Sequence, residues 1–326
     1  MRALITGVYG QDGSYLCEQL RDQGYEVHGI CHSVLSDTSK RIRRELEIEN
    51  KLPIEHYESL YDYDAMERLI LQIQPDEIYH MAAIHNSAES ADNNLARQEC
   101  QLLRNNITAT QNLLSACSQV SCQTRIATAG SCLMFDYSDT VFQNEATQFE
   151  ADSMYGIAKI TERQLVEYYR HRGLYASMAI LYNHESHRRG ERFVTRKISK
   201  GLRDIINGKV DSITLGGIDA LKDWGYAGDY MKAMRLMLKA DEPKDYILAT
   251  GKLHSIEEFV SECAKQLHVE DWRKYIKIDE KMISRKIKGT LRGDASKIRQ
   301  ELGWEPEMDF GQLVTEMITD GGRIRV

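Results

Sequence analysis

The sequence predicts an α/β fold in which a Rossmann doubly wound parallel sheet carries a smaller C-terminal α/β lobe. Two observations support this fold class. Short apolar runs alternate with helical patterns through the first half of the chain, as in successive βαβ units. A glycine-rich turn that begins at Gly7 also joins the first predicted strand to the first helix. We expect an N-terminal Rossmann domain over residues 1–182, with 226–252 returning to it, and a second lobe formed mainly by 183–326.

The predicted elements follow one another as strand and helix pairs. Strands are expected at 3–5, 27–30, 77–81, 125–128 and 176–181. Helices are expected at 14–23, 65–73, 95–117 and 155–170. After residue 183 the alternation becomes irregular, because basic and polar residues crowd the stretch 187–202. A helix at about 229–238 and a strand at 246–249 then indicate a return to the sheet.

Composition argues against several kinds of partner. The 326 residues are 42% hydrophobic and 28% charged, and the net charge of -7 argues against a nucleic-acid partner. The seven cysteines show no C-x-x-C pair and no metal-ligand spacing, so we expect reduced thiols and no metal site. Met1 leads directly into a predicted strand, and no apolar run reaches membrane length. We therefore expect a cytoplasmic protein without a membrane partner.

The turn after the first strand has the spacing G-x-x-G-x-x-G, formed by Gly7, Gly10 and Gly13. Glycines at these positions let backbone N–H groups approach a pyrophosphate at a helix N-terminus, where the helix dipole favours negative charge. The turn therefore predicts a binding site for a dinucleotide cofactor. The other residues of this predicted site are Tyr9, Gln11 and Asp12.

The residues after the second strand leave the choice between NAD and NADP open. An acidic residue there would hold a ribose 2′-hydroxyl and favour NAD, whereas an arginine would favour NADP. The sequence instead has Cys31, His32 and Ser33. Further along, four cations either reach a phosphate, if the loop folds back, or form a solvated helix face: Lys40, Arg41, Arg43 and Arg44.

Tyr155 and Lys159 are four residues apart in a predicted helix, which places a phenol and an ammonium on one face. Because a nearby cation stabilises a phenolate, we expect the pKa of Tyr155 to lie below its usual value of about 10. Ser131 follows a predicted strand, and its hydroxyl can hold a substrate oxygen. Together the three residues predict an acid/base site of the short-chain dehydrogenase type.

Several segments of the chain resemble the GDP-mannose 4,6-dehydratase family. They include the phosphate turn at 6–16 and the segment 183–197, which begins Asn-His-Glu-Ser. The other matching segments are 74–79, 223–225, 249–251, 293–294 and 302–304. The resemblance covers nearly the whole chain. It implies a two-lobed fold, a nicotinamide cofactor (NADP or NAD), a nucleotide-diphosphate sugar as substrate, and a homodimer or homotetramer.

The resemblance also implies which residues form the site. Ser131, Tyr155 and Lys159 are the expected catalytic residues, and the last two also contact the cofactor. Outside the glycine turn, the expected cofactor residues are His32, Ser59, Leu60, Ala82 and Ala83. The residues expected to bind the nucleotide sugar are His85, Asn183, Glu185, Val194, Lys197, Lys222 and Arg285. Arg188 is either a further substrate contact or a solvated surface charge.

The catalytic turn departs from the family pattern. Where the family reads Ser-Thr-Ser-Glu, this chain has Gly130, Ser131, Cys132 and Leu133, so a leucine replaces the glutamate. In dehydratases of this type the glutamate removes the C5 proton of the sugar, which allows water to leave from C6. Leucine cannot transfer a proton.

Three interpretations follow from this departure. The chain is a divergent dehydratase that recruits another base, for which His85, Cys132 and Asp136 are nearest in sequence. Alternatively, the reaction stops at C4, which would make the protein a 4-dehydrogenase, a 4-ketosugar reductase or an epimerase. A third interpretation is a non-catalytic paralogue that binds the cofactor and regulates or scaffolds a partner. The intact Ser131, Tyr155 and Lys159 argue against the third.

Overall fold

The computed structural model describes residues 1–85, 95–120, 123–138, 142–282 and 289–322. The strands within these ranges are β1 (Arg2–Thr6), β2 (Glu26–Ile30), β3 (Ile54–His56), β4 (Glu77–His80), β5 (Arg125–Ala129), β6 (Ala176–Leu181), β7 (Asn183–Glu185), β8 (Ile213–Leu215), β9 (Leu221–Tyr226), β10 (Tyr246–Leu248), β11 (Leu253–Ser255) and β12 (Ile276–Ile278). The helices are α1 (Gln11–Asp22), α2 (Asp37–Ile48), α3 (Tyr63–Ile73), α4 (Leu95–Val120), α5 (Met154–Arg170), α6 (Val194–Ile206), α7 (Ala227–Met237), α8 (Ile256–Gln266), α9 (Ser296–Leu302) and α10 (Phe310–Ile318).

The central sheet has seven parallel strands in the order β3-β2-β1-β4-β5-β6-β10. The winding direction reverses between β1 and β4, and in such sheets a crevice opens there at the carboxyl ends of the strands. Apolar side chains of α1, α2 and α7 cover one face, and those of α3, α4 and α5 cover the other. The doubly wound α/β fold class predicted from the sequence is confirmed.

The second lobe is built from two small sheets and three helices. Strands β7, β9 and β11 form one sheet, and β8 pairs with β12 in the other. Helices α6, α8 and α10 pack together around an apolar cluster that includes Trp224 and Phe259. The chain comes back to the central sheet after β9, since α7 packs against α1 and β10 pairs with β6. The boundary between a cofactor domain and a substrate lobe at residue 182 stays a prediction.

Two elements beside β2 were not anticipated from the sequence. β3 has three residues, none of them fully buried, so it carries no apolar alternation to detect. In α2, only Ile42 and Leu46 are buried among otherwise polar residues, which hides the helical period. None of the helices in the described ranges is long and apolar enough to cross a bilayer.

Arg188 lies in the interior, with 2% of its surface exposed, and joins three segments of the chain. Its guanidinium pairs with Glu18 of α1 and with Glu45 of α2, the latter at 3.2 Å. It also donates to the hydroxyl of Ser14 at 3.1 Å. Removing one partner from a buried ion pair is strongly destabilising, so these contacts fix how the 183–189 segment lies against α1 and α2. Arg188 is therefore a buried structural residue and not a solvated surface charge.

Candidate active site

The glycine turn between β1 and α1 is closely folded. Gly7 has a φ of +69°, and a Cβ there would lie 3.1 Å from the backbone of Ala82. A Cβ at Gly13 would lie 2.4 Å from the carbonyl oxygen of Gly7, so neither position accepts a side chain. Helix α1 begins at Gln11, and its N-cap residue, Gly10, offers no side-chain hydrogen bond. Its first N–H groups therefore suit an anionic ligand such as a pyrophosphate.

The segment that follows β4 lies beside this turn. The hydroxyl of Thr6, at the end of β1, accepts hydrogen bonds from the backbone N–H groups of Met81 (3.1 Å) and Ala82 (3.0 Å). The predicted cofactor residues Ala82 and Ala83 are therefore next to the glycine turn. The other three lie at neighbouring strand ends: His32 follows β2 and is exposed, and Ser59 and Leu60 follow β3.

Gln11 and Asp12 connect the glycine turn to β7. The Asp12 carboxylate lies 3.1 Å from Nε2 of His184, and the Gln11 amide donates to the carbonyl of His184 at 3.0 Å. Ser186 in turn donates to the Gln11 side chain at 2.9 Å. Burial alone would raise the pKa of Asp12, but the His184 imidazole lowers it below its usual value. The pKa of His184 is raised: burial opposes protonation, and the Asp12 carboxylate outweighs burial. The pair is therefore an ion pair.

Tyr155 and Lys159 lie in the first turns of α5, where the ammonium is 5.7 Å from the centre of the phenol ring. Burial raises the pKa of Tyr155 above its usual value, and the charge of Lys159 opposes that rise. The expectation from the sequence that the pKa of Tyr155 is lowered is thus wrong for the protein without bound ligands. There are two reasons: the Tyr155 phenol is buried, and a carboxylate pairs with Lys159.

That carboxylate is Glu162, which begins a buried chain of polar side chains. Lys159 donates to Oε2 of Glu162 at 2.9 Å, and both side chains are at most 2% exposed. Thr110 donates to the same oxygen at 3.0 Å and lies 3.1 Å from His80. His80 reaches Thr6 at 2.8 Å, and burial lowers its pKa to about 3, so its ring is neutral. This series of hydrogen bonds therefore extends from Lys159 to Thr6, at the end of β1.

The Ser131 turn packs against the start of α5. Ser131 caps the short turn Cys132–Met134 by accepting a hydrogen bond from the N–H of Leu133 at 3.2 Å. A Cβ at Gly156 would lie 2.1 Å from the carbonyl oxygen of Leu133, so only glycine allows this approach. The structure thus brings the Ser131 turn next to the residue that follows Tyr155. The Leu133 side chain packs, partly buried, against the apolar core.

Among the three candidate replacement bases, one contacts Tyr155. The His85 ring meets the Tyr155 ring edge-on at 4.4 Å between centroids. Cys132 is 4% exposed, and burial raises the pKa of its thiol to about 12, so the thiol stays protonated. Asp136 is exposed and accepts a hydrogen bond from the N–H of Tyr137 at 2.8 Å.

The surroundings of His85 keep its imidazole neutral. Burial lowers the pKa of His85 to about 4, and the charges of Arg189, Arg192 and Lys159 contribute. Its Nδ1 atom is buried and has no hydrogen-bond partner within the described residues. A neutral imidazole with a buried, unpartnered nitrogen beside a tyrosine can accept a proton from a ligand.

Arg189 was not singled out in the sequence, although its neighbour Arg188 was. Its guanidinium lies 3.2 Å from Glu185 and 3.7 Å from the centre of the Phe193 ring. Its charge lowers the pKa values of both His85 and Tyr155. The structure therefore brings Arg189, rather than Arg188, to the predicted catalytic residues. No spacing in the sequence distinguishes the two arginines.

Apart from His85, which follows β4, the described residues predicted to bind substrate lie in two groups within the second lobe. Asn183 and Lys222 belong to the β7-β9-β11 sheet, and the half-buried Lys222 ammonium lies 6.0 Å from the Tyr137 ring. Burial lowers the pKa of Lys222. Glu185 is 3% exposed and accepts a hydrogen bond from Thr195 at 2.6 Å in addition to its pair with Arg189.

The second group is on α6. Val194 is its first residue, and Lys197 lines a cavity of about 320 Å³. Both acidic and basic side chains line this cavity, among them Glu191, Lys200 and Asp204, and its volume is within the range of small-molecule sites. Arg285 lies outside the described residues.

Two solved structures that share this fold are described as sugar-nucleotide enzymes. A dTDP-glucose 4,6-dehydratase from Bacillus anthracis in complex with NAD superposes with a TM-score of 0.84 at 15% identity, covering 99% of this chain and 97% of the other. A UDP-glucuronic acid 4-epimerase from Bacillus cereus, in complex with UDP-glucuronic acid and NAD, gives a TM-score of 0.81 at 19% identity with full coverage of both chains. The chain therefore shares the fold of these two enzymes over nearly its whole length.

Sequence comparison defines the family more narrowly. Residues 4–317 match the family described as GDP-mannose 4,6 dehydratase. The GDP-mannose 4,6-dehydratase of Vibrio cholerae is 35% identical over 98% of this chain and 93% of its own length. The human GDP-mannose 4,6 dehydratase is 35% identical over 97% of this chain and 90% of its own length. The chain belongs to the GDP-mannose 4,6-dehydratase family, as the resemblance of its motifs predicted.

The position of Glu162 predicts a shift in the pH dependence of catalysis. The negative charge of Glu162 raises the pKa of Tyr155, so Glu162→Gln should lower that pKa while Lys159 stays charged. The limb of the kcat/KM profile that rises as Tyr155 loses its proton should then move to lower pH.

Profiles of the wild type, Glu162→Gln and Glu167→Gln test this prediction. Glu167 lies on the same helix, but its side chain is 42% exposed and pairs with Arg163, so its variant should keep the wild-type profile. A shift of the Glu162→Gln profile to higher pH would contradict the prediction, because it would mean that Lys159 loses its charge without this carboxylate.

Proposed function

We propose that the protein is a nucleotide-diphosphate-sugar enzyme that uses NADP or NAD and begins by removing a hydride from C4 of the sugar. The reaction then continues as a 4,6-dehydration in which His85 replaces the missing glutamate. Family membership supports the substrate class, since the relatives are described as GDP-mannose 4,6-dehydratases. The contact between His85 and Tyr155 carries the assignment of the base.

The glycine turn fits a dinucleotide. Side chains are excluded at Gly7 and Gly13, and the uncapped start of α1 faces the same turn. Lys159 and Tyr155 would hold the reactive end, and the residues of the turn and of the neighbouring strand ends would hold the rest. A nicotinamide dinucleotide held there would supply the hydride acceptor.

Tyr155 acts as the base at the C4 hydroxyl. Its phenolate takes the hydroxyl proton while the hydride leaves C4, and Ser131, beside the first turn of α5, holds the C4 oxygen. Lys159 opposes the rise that burial imposes on the pKa of Tyr155. The product of this step is a 4-keto sugar, whose C5 proton is acidic because it lies next to the carbonyl.

His85 is suited to the proton transfers that follow. Burial lowers its pKa to about 4, so the imidazole is neutral at neutral pH and can act as a base. The neutral imidazole takes the C5 proton. The imidazolium then gives the proton to the C6 hydroxyl, which leaves as water. The hydride removed from C4 is then added at C6 of the resulting 5,6-alkene, and C5 takes up one proton, equivalent to the proton that Tyr155 received from the C4 hydroxyl.

A reaction that ends at C4 is the second candidate. The turn that carries the glutamate in the family has Leu133 here, and this side chain packs against the core. Ser131, Tyr155 and Lys159 suffice for C4 redox chemistry. The protein would then be a 4-dehydrogenase, a 4-ketosugar reductase or an epimerase acting on a nucleotide sugar.

The second lobe, mainly 183–326, would bind the nucleotide diphosphate, and residues 1–182 with 226–252 would bind the cofactor. Lys197 lines the cavity on α6, where Lys200 is paired with Asp204 at 2.7 Å, and Lys222 is a half-buried cation on β9. Such cations suit a diphosphate. We further propose a cytoplasmic homodimer or homotetramer. The family resemblance supports the oligomer, and the scattered cysteines support the compartment.

Nucleotide binding tests the substrate class. Among GDP, UDP, CDP and dTDP, at least one should raise the melting temperature by several degrees, since a ligand at a hundred times its Kd stabilises by about 2.7 kcal/mol. Lys197→Gln should weaken the shift, whereas Lys265→Gln, on α8 with a side chain that is 77% exposed, should not. If none of the four nucleotides stabilises the wild type, the nucleotide-sugar proposal is wrong.

Product analysis tests the role of His85. With the sugar of the nucleotide identified above, the wild type should give a product lighter by one water. His85→Gln should slow this reaction by about 10²–10⁴-fold, the usual contribution of a general base, while C4 oxidation persists. Asp136→Asn is the control and should keep the wild-type rate, because Asp136 is exposed.

Three outcomes separate the candidates. Unchanged dehydration by His85→Gln would show that another residue removes the C5 proton. A wild-type product lighter by two hydrogens would favour a 4-dehydrogenase. A product of unchanged mass and altered stereochemistry would favour an epimerase.

A further inference from the structure

Three segments meet at a carboxylate beside the end of β2. Glu55 of β3 accepts a hydrogen bond from the hydroxyl of Tyr9, which comes from the glycine turn. It also accepts a hydrogen bond from Nε of Arg43, on α2, at 2.8 Å. Its second oxygen accepts a hydrogen bond from the Tyr57 hydroxyl at 2.8 Å. Tyr9 is 3% exposed, so its side chain reaches Glu55 through the interior and not through solvent.

The sheet register explains why Glu55 reaches this place. β3 runs parallel to β2 with Glu55 opposite Gly29. Side chains alternate along a strand, so Gly29 and Cys31, two residues on, share one face of β2. The Glu55 side chain therefore lies on the face that carries Cys31, the residue at the end of the second strand. In Rossmann domains, an acidic residue near this point distinguishes the ribose of NAD from that of NADP. Here β3 supplies the acid that β2 lacks.

The cations of α2 are not available to a 2′-phosphate at this point. Ile42 is buried against the sheet, and Lys40 and Arg44 are each two residues away from it, which places them on the opposite, exposed face. Arg41 donates to the carbonyl of His187 at 3.1 Å and pairs with Glu45. Arg43 is directed to β3, and Glu55 pairs with it there.

We propose that Glu55 makes this site selective for NAD. Its carboxylate would accept a hydrogen bond from the ribose 2′-hydroxyl of NAD. The 2′-phosphate of NADP would instead meet a negative charge whose nearest cation, Arg43, is already paired with it. The inference rests on the proposed function, because it names the cofactor of the same site. It also explains how the site could select a cofactor although neither the usual acid nor the usual arginine follows the second strand.

Calorimetric titration with NAD⁺ and NADP⁺ tests the proposal on purified protein freed of bound nucleotide. The wild type should bind NAD⁺ at least about tenfold more tightly than NADP⁺, because the 2′-phosphate of NADP⁺ would lie near the like charge of Glu55. Glu55→Gln should reduce this preference by about tenfold, through tighter binding of NADP⁺ by the released Arg43. Adding Arg43→Gln to Glu55→Gln should remove that gain. Glu47→Gln is the matched control, since Glu47 lies 3.9 Å from Arg43 on the exposed side and should leave the preference unchanged.

Two results would overturn the selectivity: a wild type that binds NADP⁺ as tightly as NAD⁺ or more so, or a Glu55→Gln variant with the wild-type preference. The first measurement needs no variant, so the proposal stays testable if Glu55→Gln does not fold. Failure of the wild type to bind either dinucleotide is a distinct result. It would defeat the proposed function itself, and the selectivity with it.

Discussion

The ion pair between Asp12 and His184 is the contact on which the arrangement of the site depends. It joins the first turn of α1, which belongs to the glycine turn, to β7, which begins the second lobe. Two further hydrogen bonds, from Gln11 to His184 and from Ser186 to Gln11, reinforce it. Because β7 is held at the first turn of α1, the residues that follow it reach His85, whose carbonyl accepts a hydrogen bond from Arg192 at 2.9 Å. This is how Arg189 comes to act on Tyr155 and His85.

The charges inside the site are arranged in pairs. Lys159 is paired with Glu162, Arg189 with Glu185, and His184 with Asp12, and each pair is largely removed from solvent. Buried charges are tolerated when they are paired and hydrogen-bonded, which accounts for the acidic partners that stand next to each cation. The pairing has a chemical consequence. Lys159 is only partly able to favour the phenolate of Tyr155 in the protein alone, so the charge state of the catalytic pair depends on what binds beside it.

Much of the fold and part of the site followed from local sequence patterns. The strand 176–181 and the helix that carries Tyr155 have strong periodicity, and the glycine turn has a required position between strand and helix. β3 and α2 were missed because they bury few side chains. Glu55 could not be assigned a role, because only the pairing of β3 with β2 brings it to the end of the second strand. Glu162 was detectable in principle, as it lies three residues after Lys159. The direction of the Tyr155 pKa shift depends on burial, which the spacing of two residues does not give.

Hydride removal at C4 under the control of Tyr155 is the claim common to the dehydratase, dehydrogenase and epimerase candidates for this chain. A nucleotide sugar that carries deuterium at C4 tests it directly, with the position of the label in the product read by nuclear magnetic resonance. We expect the deuterium to leave C4 and to appear at C6 of a 4-keto product that has lost water. A converted product that keeps its original deuterium at C4, with the original configuration, would contradict the proposed chemistry.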